Sequence, residues 1–266
     1  REARRAAELA AEARRRRLRF VRNAVILVVA IIVTGLLLSL VACSDDTDDG
    51  AVDQQADRKE VNEGAGAAAE TECPPEDGVD EPVVDFEAAP PQCIDPEATY
   101  TAPIETSEGT VVVELDTDRT PATTNNFVTL ARYGYYDGTA LFRTEAQTSI
   151  IQGGSPHTQD NSDPGPGYTI DDEALPFSSE DYGPGALAMA RTAAPDSASG
   201  QFFLLASEGG RYLGDESAIG PSAGTYVVFG QTVEGLDVLE EIAALDDGTG
   251  APSEPVEIES VEIAES

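Results

Sequence analysis

The chain has 266 residues, with 16 Lys+Arg against 50 Asp+Glu, one His, three Cys and no Trp, for a formal charge of −34. That balance excludes a nucleic-acid-binding face, which must be basic to displace counterions from phosphate. The 41% of hydrophobic residues excludes wholesale disorder. A single histidine cannot build a two-His metal site, and any Ser–His–Asp arrangement would have to use His157; no cofactor is expected.

Charge divides the chain. Residues 1–23 carry nine Arg against three Glu and form a basic cytoplasmic segment. Residues 24–43 are uncharged, and at ~1.5 Å per residue this run spans a hydrocarbon layer of ~30 Å as a transmembrane or signal helix. Asp45, Asp46, Asp48 and Asp49 follow, so the positive-inside rule places the C-terminal bulk outside the cytoplasm. Leu40-Val41-Ala42-Cys43 resembles a bacterial lipobox, which would make Cys43 a lipidated residue. The apolar run is longer than a usual signal-peptide core, so lipid anchor and uncleaved helix both stand. Either gives a cell-membrane protein with one N-terminal anchor and its bulk on the extracytoplasmic side. Residue 1 is Arg rather than Met, so the sequence is expected to start inside a longer chain.

Residues 44–99 hold 18 acidic side chains, Ala and Gly clusters, Pro74-Pro75 and Pro90-Pro91, and no sustained apolar period. They are expected to form an acidic disordered tether. Outside the cytoplasm, Cys73 and Cys93 are expected to pair with each other.

The globular part is expected over residues 100–266. Thr110-Val111-Val112-Val113-Glu114-Leu115 is β-branched and strand-like. Thr120-Pro121 offers a cap and a first-turn proline for a helix, with Phe127, Leu130 and Ala131 on its apolar face and Gly134 as its stop. Short apolar pieces follow at 149–154, 184–190, 201–206 and 225–230, separated by Gly and Pro. A second helix is expected over 236–245, with Leu236, Leu239, Ile242 and Ala243 facing inward. The tail alternates at Val256 and Ile258, then shifts phase to Val261 and Ile263, as a bulged strand does. Many short strands with two helices predict a mainly β fold, a closed antiparallel barrel capped by two α-helices.

An ordered set of short motifs runs through this part. Phe127-Val128-Thr129-Leu130-Ala131, Tyr135-Tyr136-Asp137-Gly138-Thr139, Phe142-Arg143 and Gln152-Gly153-Gly154 come first. Gly165-Pro166-Gly167-Tyr168, Gly185-Ala186-Leu187-Ala188-Met189-Ala190-Arg191, Gln201-Phe202-Phe203 and Val227-Val228-Phe229-Gly230 follow. The set resembles the cyclophilin family of peptidyl-prolyl cis–trans isomerases in its membrane-anchored bacterial extracytoplasmic form, over residues 108–264. The resemblance implies a cyclophilin-like barrel, rotation about X–Pro bonds as the reaction, and proline-containing segments of exported proteins as partners.

That chemistry suits this inventory. The barrier of ~18–20 kcal/mol comes from amide resonance and no bond is broken, so neither nucleophile nor metal is needed. An apolar cup for the proline ring is needed, with a permanently charged donor at the twisted amide. The resemblance assigns Arg143 as the catalytic cation and Gln152 as the residue that orients it. It places Ile150 at the apolar substrate-binding position two before Gln152, Ala190, Arg191 and Gln201 along the substrate groove, Phe203 on the pocket floor, and Tyr212 and Leu213 on its wall. A monomer is expected, bound to the membrane only through its N-terminal anchor.

Several positions depart from the family pattern. Eight residues separate Arg143 from Gln152, one more than the commonest spacing, and Ser149 stands where phenylalanine is usual. Gly200 replaces a serine, Tyr226 falls where many members have histidine, and residues 214–224 are an insertion. Two readings therefore stand: an extracytoplasmic prolyl isomerase, or a proline-peptide-binding, chaperone-like module whose pocket Ser149 opens. His157, in a Gly/Pro/Ser loop, is expected to be a solvated side chain rather than a general base.

Overall fold

Alternation along the first two strands sets the frame. In β1 (Tyr100–Thr106) Tyr100, Ala102 and Ile104 are buried, and in β2 (Gly109–Leu115) Val111, Val113 and Leu115 are, so one face of this hairpin carries the core. The computed structural model describes residues 71–266. The basic segment, the expected membrane helix and Cys43 lie outside the described residues, among which no helix is long and apolar enough to cross a membrane.

After β2 come helix α1 (Pro121–Arg132), β3 (Thr139–Ala140), β4 (Arg143–Glu145), β5 (Ile150–Gly153), β6 (Ala186–Met189) and β7 (Phe202–Leu205). A 3₁₀ turn (Glu208–Gly214), the short α2 (Glu216–Ile219) and a second 3₁₀ turn (Gly220–Ser222) lead to β8 (Val228–Glu234). Helix α3 (Leu236–Ala244), β9 (Glu257–Val261) and β10 (Ala264–Glu265) end the chain. Thus all four apolar pieces became strands, and both expected helices formed. The phase shift in the tail is a β-bulge: Glu105 pairs with Ser260 but Thr106 with Ile258, which leaves Glu259 over. Leu236 differs from expectation. It sits in the first turn of α3, 37% exposed, while Leu239, Ile242 and Ala243 are buried.

The strands form one antiparallel sheet in the order β3-β9-β1-β2-β8-β6-β7-β5-β4, with β10 added to β1. Its two edges, β3 and β4, are separated in sequence by Leu141 and Phe142 alone, so the sheet curls until the chain itself joins them. Among the described residues no ladder pairs β3 with β4. The expected closed barrel is therefore a curled sheet with an open hydrogen-bonding seam, because β3 has only two residues and is spent on β9.

Phe127 of α1 is the centre of the inner core. Its ring lies 5.0 Å from Tyr136, 5.3 Å from Phe229 and 5.6 Å from Phe202, all fully buried. Gly134, at φ 65°, ends α1 as expected, with Tyr135 N–H bonded back to the Leu130 carbonyl at 3.0 Å. The start of α1 is different. Thr120 spends its hydroxyl on the Asp116 carbonyl at 3.1 Å and does not cap. Instead Glu173, fifty residues away, accepts the N–H groups of Ala122 (3.1 Å) and Thr123 (2.6 Å) and the Thr123 hydroxyl (2.7 Å). An anion at a helix N-terminus satisfies orphan donors and complements the dipole. Glu173→Ala is expected to lower stability by about 1 kcal/mol in urea titration; an unchanged midpoint would show that water replaces the cap without loss.

Of the expected tether, residues 44–70 lie outside the described residues, and residues 71–99 are ordered rather than disordered. Cys73 and Cys93 are joined in a disulfide, and the strap they close packs on α1 and on the loop after β5. Ile94 is buried, and Phe86 packs edge-on against Tyr133 at 5.0 Å and Tyr168 at 6.2 Å. Asn125 of α1 accepts the N–H groups of Cys93 and Ile94 at 2.7 and 3.2 Å and donates to the Pro91 carbonyl at 2.8 Å. Phe86 N–H reaches the Pro166 carbonyl at 2.8 Å, and Gly167 is required there, since a Cβ on it would lie 2.4 Å from the Phe86 carbonyl oxygen. A few apolar anchors and one buried amide thus hold a segment whose average composition reads as disordered.

Candidate active site

Strand register assembles the site. Arg143 of β4 lies opposite Gln152 of β5, Gln152 opposite Phe203 of β7, and Phe203 opposite Ala188 of β6. Directly opposed residues share a face, so these four form a row across the outer side of the sheet. Ile150 and Leu205, two positions along their strands, lie on the same face. Phe202 and Phe203 divide as alternation requires, one into the inner core and one into this outer cluster. The extra residue between Arg143 and Gln152 is absorbed in the β4–β5 hairpin, where Ser149 takes a left-handed φ of 60° and the register is kept.

The row opens on a pocket of about 160 Å³ lined by Ile150, Phe203, Tyr212, Leu213 and Tyr226, with Arg143 and Gln152 on its polar side. Tyr212 and Leu213 come from the first 3₁₀ turn. Tyr226 stands edge-on to Phe203, with centroids 5.7 Å apart. The Tyr182 hydroxyl bonds the Tyr226 carbonyl at 2.7 Å, and the inserted segment just before Tyr226 is closed by Gly224 N–H on the Leu213 carbonyl at 2.8 Å. A second groove of about 350 Å³ shares Gln152, Asn161, Ala190 and Arg191 with the pocket and continues along Ser199 and Gln201. A chain lying in both would therefore pass between these shared residues, Gln152 among them.

The polar side is one hydrogen-bonded chain. Arg143 Nη1 donates to Gln152 Oε1 at 2.8 Å, and Gln152 Nε2 donates to Gln201 Oε1 and Asn161 Oδ1, both at 2.9 Å. Arg has no acceptor, so the Gln152 oxygen must face it, and both Gln152 N–H groups are then fixed on Gln201 and Asn161. Glu145 closes the other end, accepting from Arg143 Nε and Nη2 at 2.9 and 2.6 Å. Tyr212 is raised above the ordinary phenol value, first by burial and then by the Glu145 charge. Among the described residues no group of three or more His, Cys, Asp or Glu could hold a metal ion.

The structure thus brings together Arg143, Ile150, Gln152, Ala190, Arg191, Gln201, Phe203, Tyr212 and Leu213 around the pocket and its adjoining groove. Arg191 differs in kind. Its side chain is 6% exposed, paired with Asp172 at 3.1 Å and bonded to the Thr225 and Ala194 carbonyls at 2.8 and 2.6 Å. It shapes the wall, but its charge is already engaged. Ser149 is buried and hydrogen-bonded to Ser207, outside the pocket lining, so it does not open the cup. Gly200 is explained by contact: a Cβ there would fall 2.6–2.8 Å from the Tyr135 ring and hydroxyl. Glu145 and Asn161 were not expected at the site, and Tyr226 was singled out only for standing where many members have histidine; Glu145 carried a signal of its own, being two positions from Arg143 on a strand.

His157 is not simply solvated. It bridges Asp163 (3.1 Å) of its own loop and Asp85 (3.2 Å) of the strap. The Asp163 hydrogen bond and the two carboxylate charges raise its pKa despite partial burial. A raised folded pKa stabilises the protein fully below the ordinary histidine value of about 6.5 and less as pH rises through the folded one. The melting temperature should therefore fall between pH 6 and pH 9 more in the wild type than in His157→Gln; equal falls would remove His157 from the account.

Comparison with known proteins covers the part of the chain that carries the site. The family model described as cyclophilin type peptidyl-prolyl cis-trans isomerase/CLD matches residues 101–263. A peptidyl-prolyl cis-trans isomerase of Streptomyces antibioticus is 35% identical over 170 residues, 61% of this chain and 98% of that one. Peptidyl-prolyl cis-trans isomerase B of Escherichia coli is 32% identical over 169 residues, 60% of this chain and 97% of that one. A solved cyclophilin type peptidyl-prolyl cis-trans isomerase of Cryptosporidium parvum superposes with a TM-score of 0.51 at 26% identity, covering 62% of this chain and 98% of that one. The same isomerase was also solved in the presence of the dipeptide ala-pro.

Proposed function

Because the chain belongs to the cyclophilin-type peptidyl-prolyl cis–trans isomerase family, we propose that it isomerises X–Pro bonds at the pocket beside Arg143. The observation that carries this reading is the Arg143–Gln152–Gln201 chain along one side of a cup floored by Phe203. The proline ring enters the cup between Phe203, Leu213 and Tyr226. The preceding residues lie along the groove past Gln152 and Gln201. As the amide twists, its nitrogen turns pyramidal and its lone pair, no longer shared with the carbonyl, localises there, where the Arg143 guanidinium donates to it. A donor fixed before the twist loses no free energy to reorganisation at the barrier. An acceleration of ~10⁵-fold requires about 7 kcal/mol, within the reach of oriented donors and apolar binding together. Arg143 favours catalysis over passive binding, since holding a proline ring requires no cation, and Ser149, packed on Ser207, gives the binding-module reading no support.

The clients we propose are exported proteins, met on the extracytoplasmic side of the cell membrane by a monomer with one N-terminal anchor. Two features support this: the charge asymmetry around residues 24–43, and the Cys73–Cys93 disulfide, a bond that persists in oxidising compartments. A protease-coupled proline-peptide assay on the full chain tests the activity. Peptide mapping of the membrane fraction tests the anchor: recovery in the soluble fraction alone rejects it, and an intact peptide from residues 1–23 rejects cleavage before Cys43.

A further inference from the structure

Arg143 and Glu145 are two residues apart on β4, so both stand on the sheet face that carries Gln152 and Phe203. Thr144 between them is turned inward and fully buried, which fixes the strand and hence both side chains' faces. A guanidinium has five N–H groups. Arg143 Nε and one Nη2 hydrogen go to Glu145 Oε1, at 2.9 and 2.6 Å, and one Nη1 hydrogen goes to Gln152 Oε1 at 2.8 Å. Two N–H groups, one on each Nη, keep no partner among the described residues. Glu145 is itself held, since its Oε2 accepts the Thr148 hydroxyl at 2.6 Å.

Both side chains of the pair are 32% exposed, so water screens their attraction and the ion pair adds little stability. Its consequence is geometric. With Gln152 on one edge and Glu145 on the other, the guanidinium plane cannot rotate about the end of its long side chain. We propose that Glu145 is a positioning residue for the isomerase, holding the Arg143 fork so that its two unpartnered N–H groups are presented to the twisting amide. This rests on the reading of Arg143 as the catalytic donor.

The charge state suits the role. Partial burial pushes the Glu145 carboxyl up, but the Thr148 and Arg143 hydrogen bonds and the guanidinium charge outweigh it and bring it below the ordinary carboxylate value. Asp246 opposes this shift, and the Tyr212 phenol also feels the Glu145 charge. Glu145 is therefore an anion at neutral pH, and the fork stays engaged there.

The test uses the full chain and a proline peptide, with turnover followed by NMR exchange and the Arg143 Nε–H resonance followed in the same samples. Glu145→Ala is expected to lower kcat by ~10-fold with KM within about twofold, since misplacing a catalytic group acts on the barrier more than on binding. The Nε–H signal should broaden by exchange with water. Glu145→Gln, which keeps an acceptor oxygen without the charge, should fall between. An unchanged kcat in both variants, or a loss carried wholly by KM, overturns the proposal. Arg143→Ala separates the two failures. If it is inactive while both Glu145 variants are fully active, Glu145 alone loses its role; if it is fully active, the catalytic reading falls as well.

Discussion

Arg143→Ala should lower kcat/KM for a proline peptide by ~10²–10³-fold, the usual loss when one preorganised donor is removed from a developing charge. Stability should change by less than about 1 kcal/mol, because the Arg143 side chain is 32% exposed and its partners, Glu145 and Gln152, stay near water or keep other bonds. Arg143→Lys should lie between wild type and Ala. Lysine keeps the charge, but it cannot donate in a plane to Gln152 and Glu145 together. Kinetics and circular dichroism on the same samples decide the matter. A folded Arg143→Ala protein with wild-type turnover would overturn the mechanism, whereas an unfolded one would show that the Glu145–Arg143–Gln152 chain is structural.

Removing the disulfide should have the largest effect on stability. Cys73 and Cys93 are 20 residues apart, and the entropy of closing such a loop corresponds to about 3 kcal/mol. The strap it closes carries Phe86, which packs on Tyr133 and Tyr168, and Asp85, which meets His157. For a domain of this size, Cys73→Ser with Cys93→Ser should lower the melting temperature by ~6–12 °C. Proteolysis should begin within the strap. None of the pocket's lining residues comes from residues 71–99. Turnover at 25 °C should therefore stay within about twofold of wild type. Equal melting temperatures and equal protease resistance, with and without reductant, would show that Ile94 and Asn125 hold the strap unaided.

Local pattern determined most of the fold in advance. Alternation in β1 and β2, the apolar spacing of α1 and α3, the stop at Gly134 and the phase shift at Glu259 are each a response of a few neighbouring residues to having one face buried. The division of Phe202 from Phe203 follows from the same period of two. Arg143, Gln152, Gln201 and Phe203 could be named because they sit in short, ordered motifs.

What the tertiary structure decided are choices between distant partners. Glu173 rather than Thr120 caps α1, because Thr120 found the Asp116 carbonyl first and a loop fifty residues on brings a carboxylate to the open N–H groups. Arg191 became a buried ion-pair partner only once Asp172 lay beside it. Ser149 proved harmless to the cup because Ser207 receives it. The strap is the largest such case. Ile94 is the one buried hydrophobic side chain of residues 71–99, and α1, the residue that caps its end and the loop after β5 supply Asn125, Tyr133 and Tyr168 to hold them. The physical reason is common to all four. Periodicity records which face of a segment is buried, a property of the segment alone, whereas caps, ion pairs and docked loops depend on which groups the completed sheet brings within hydrogen-bonding distance.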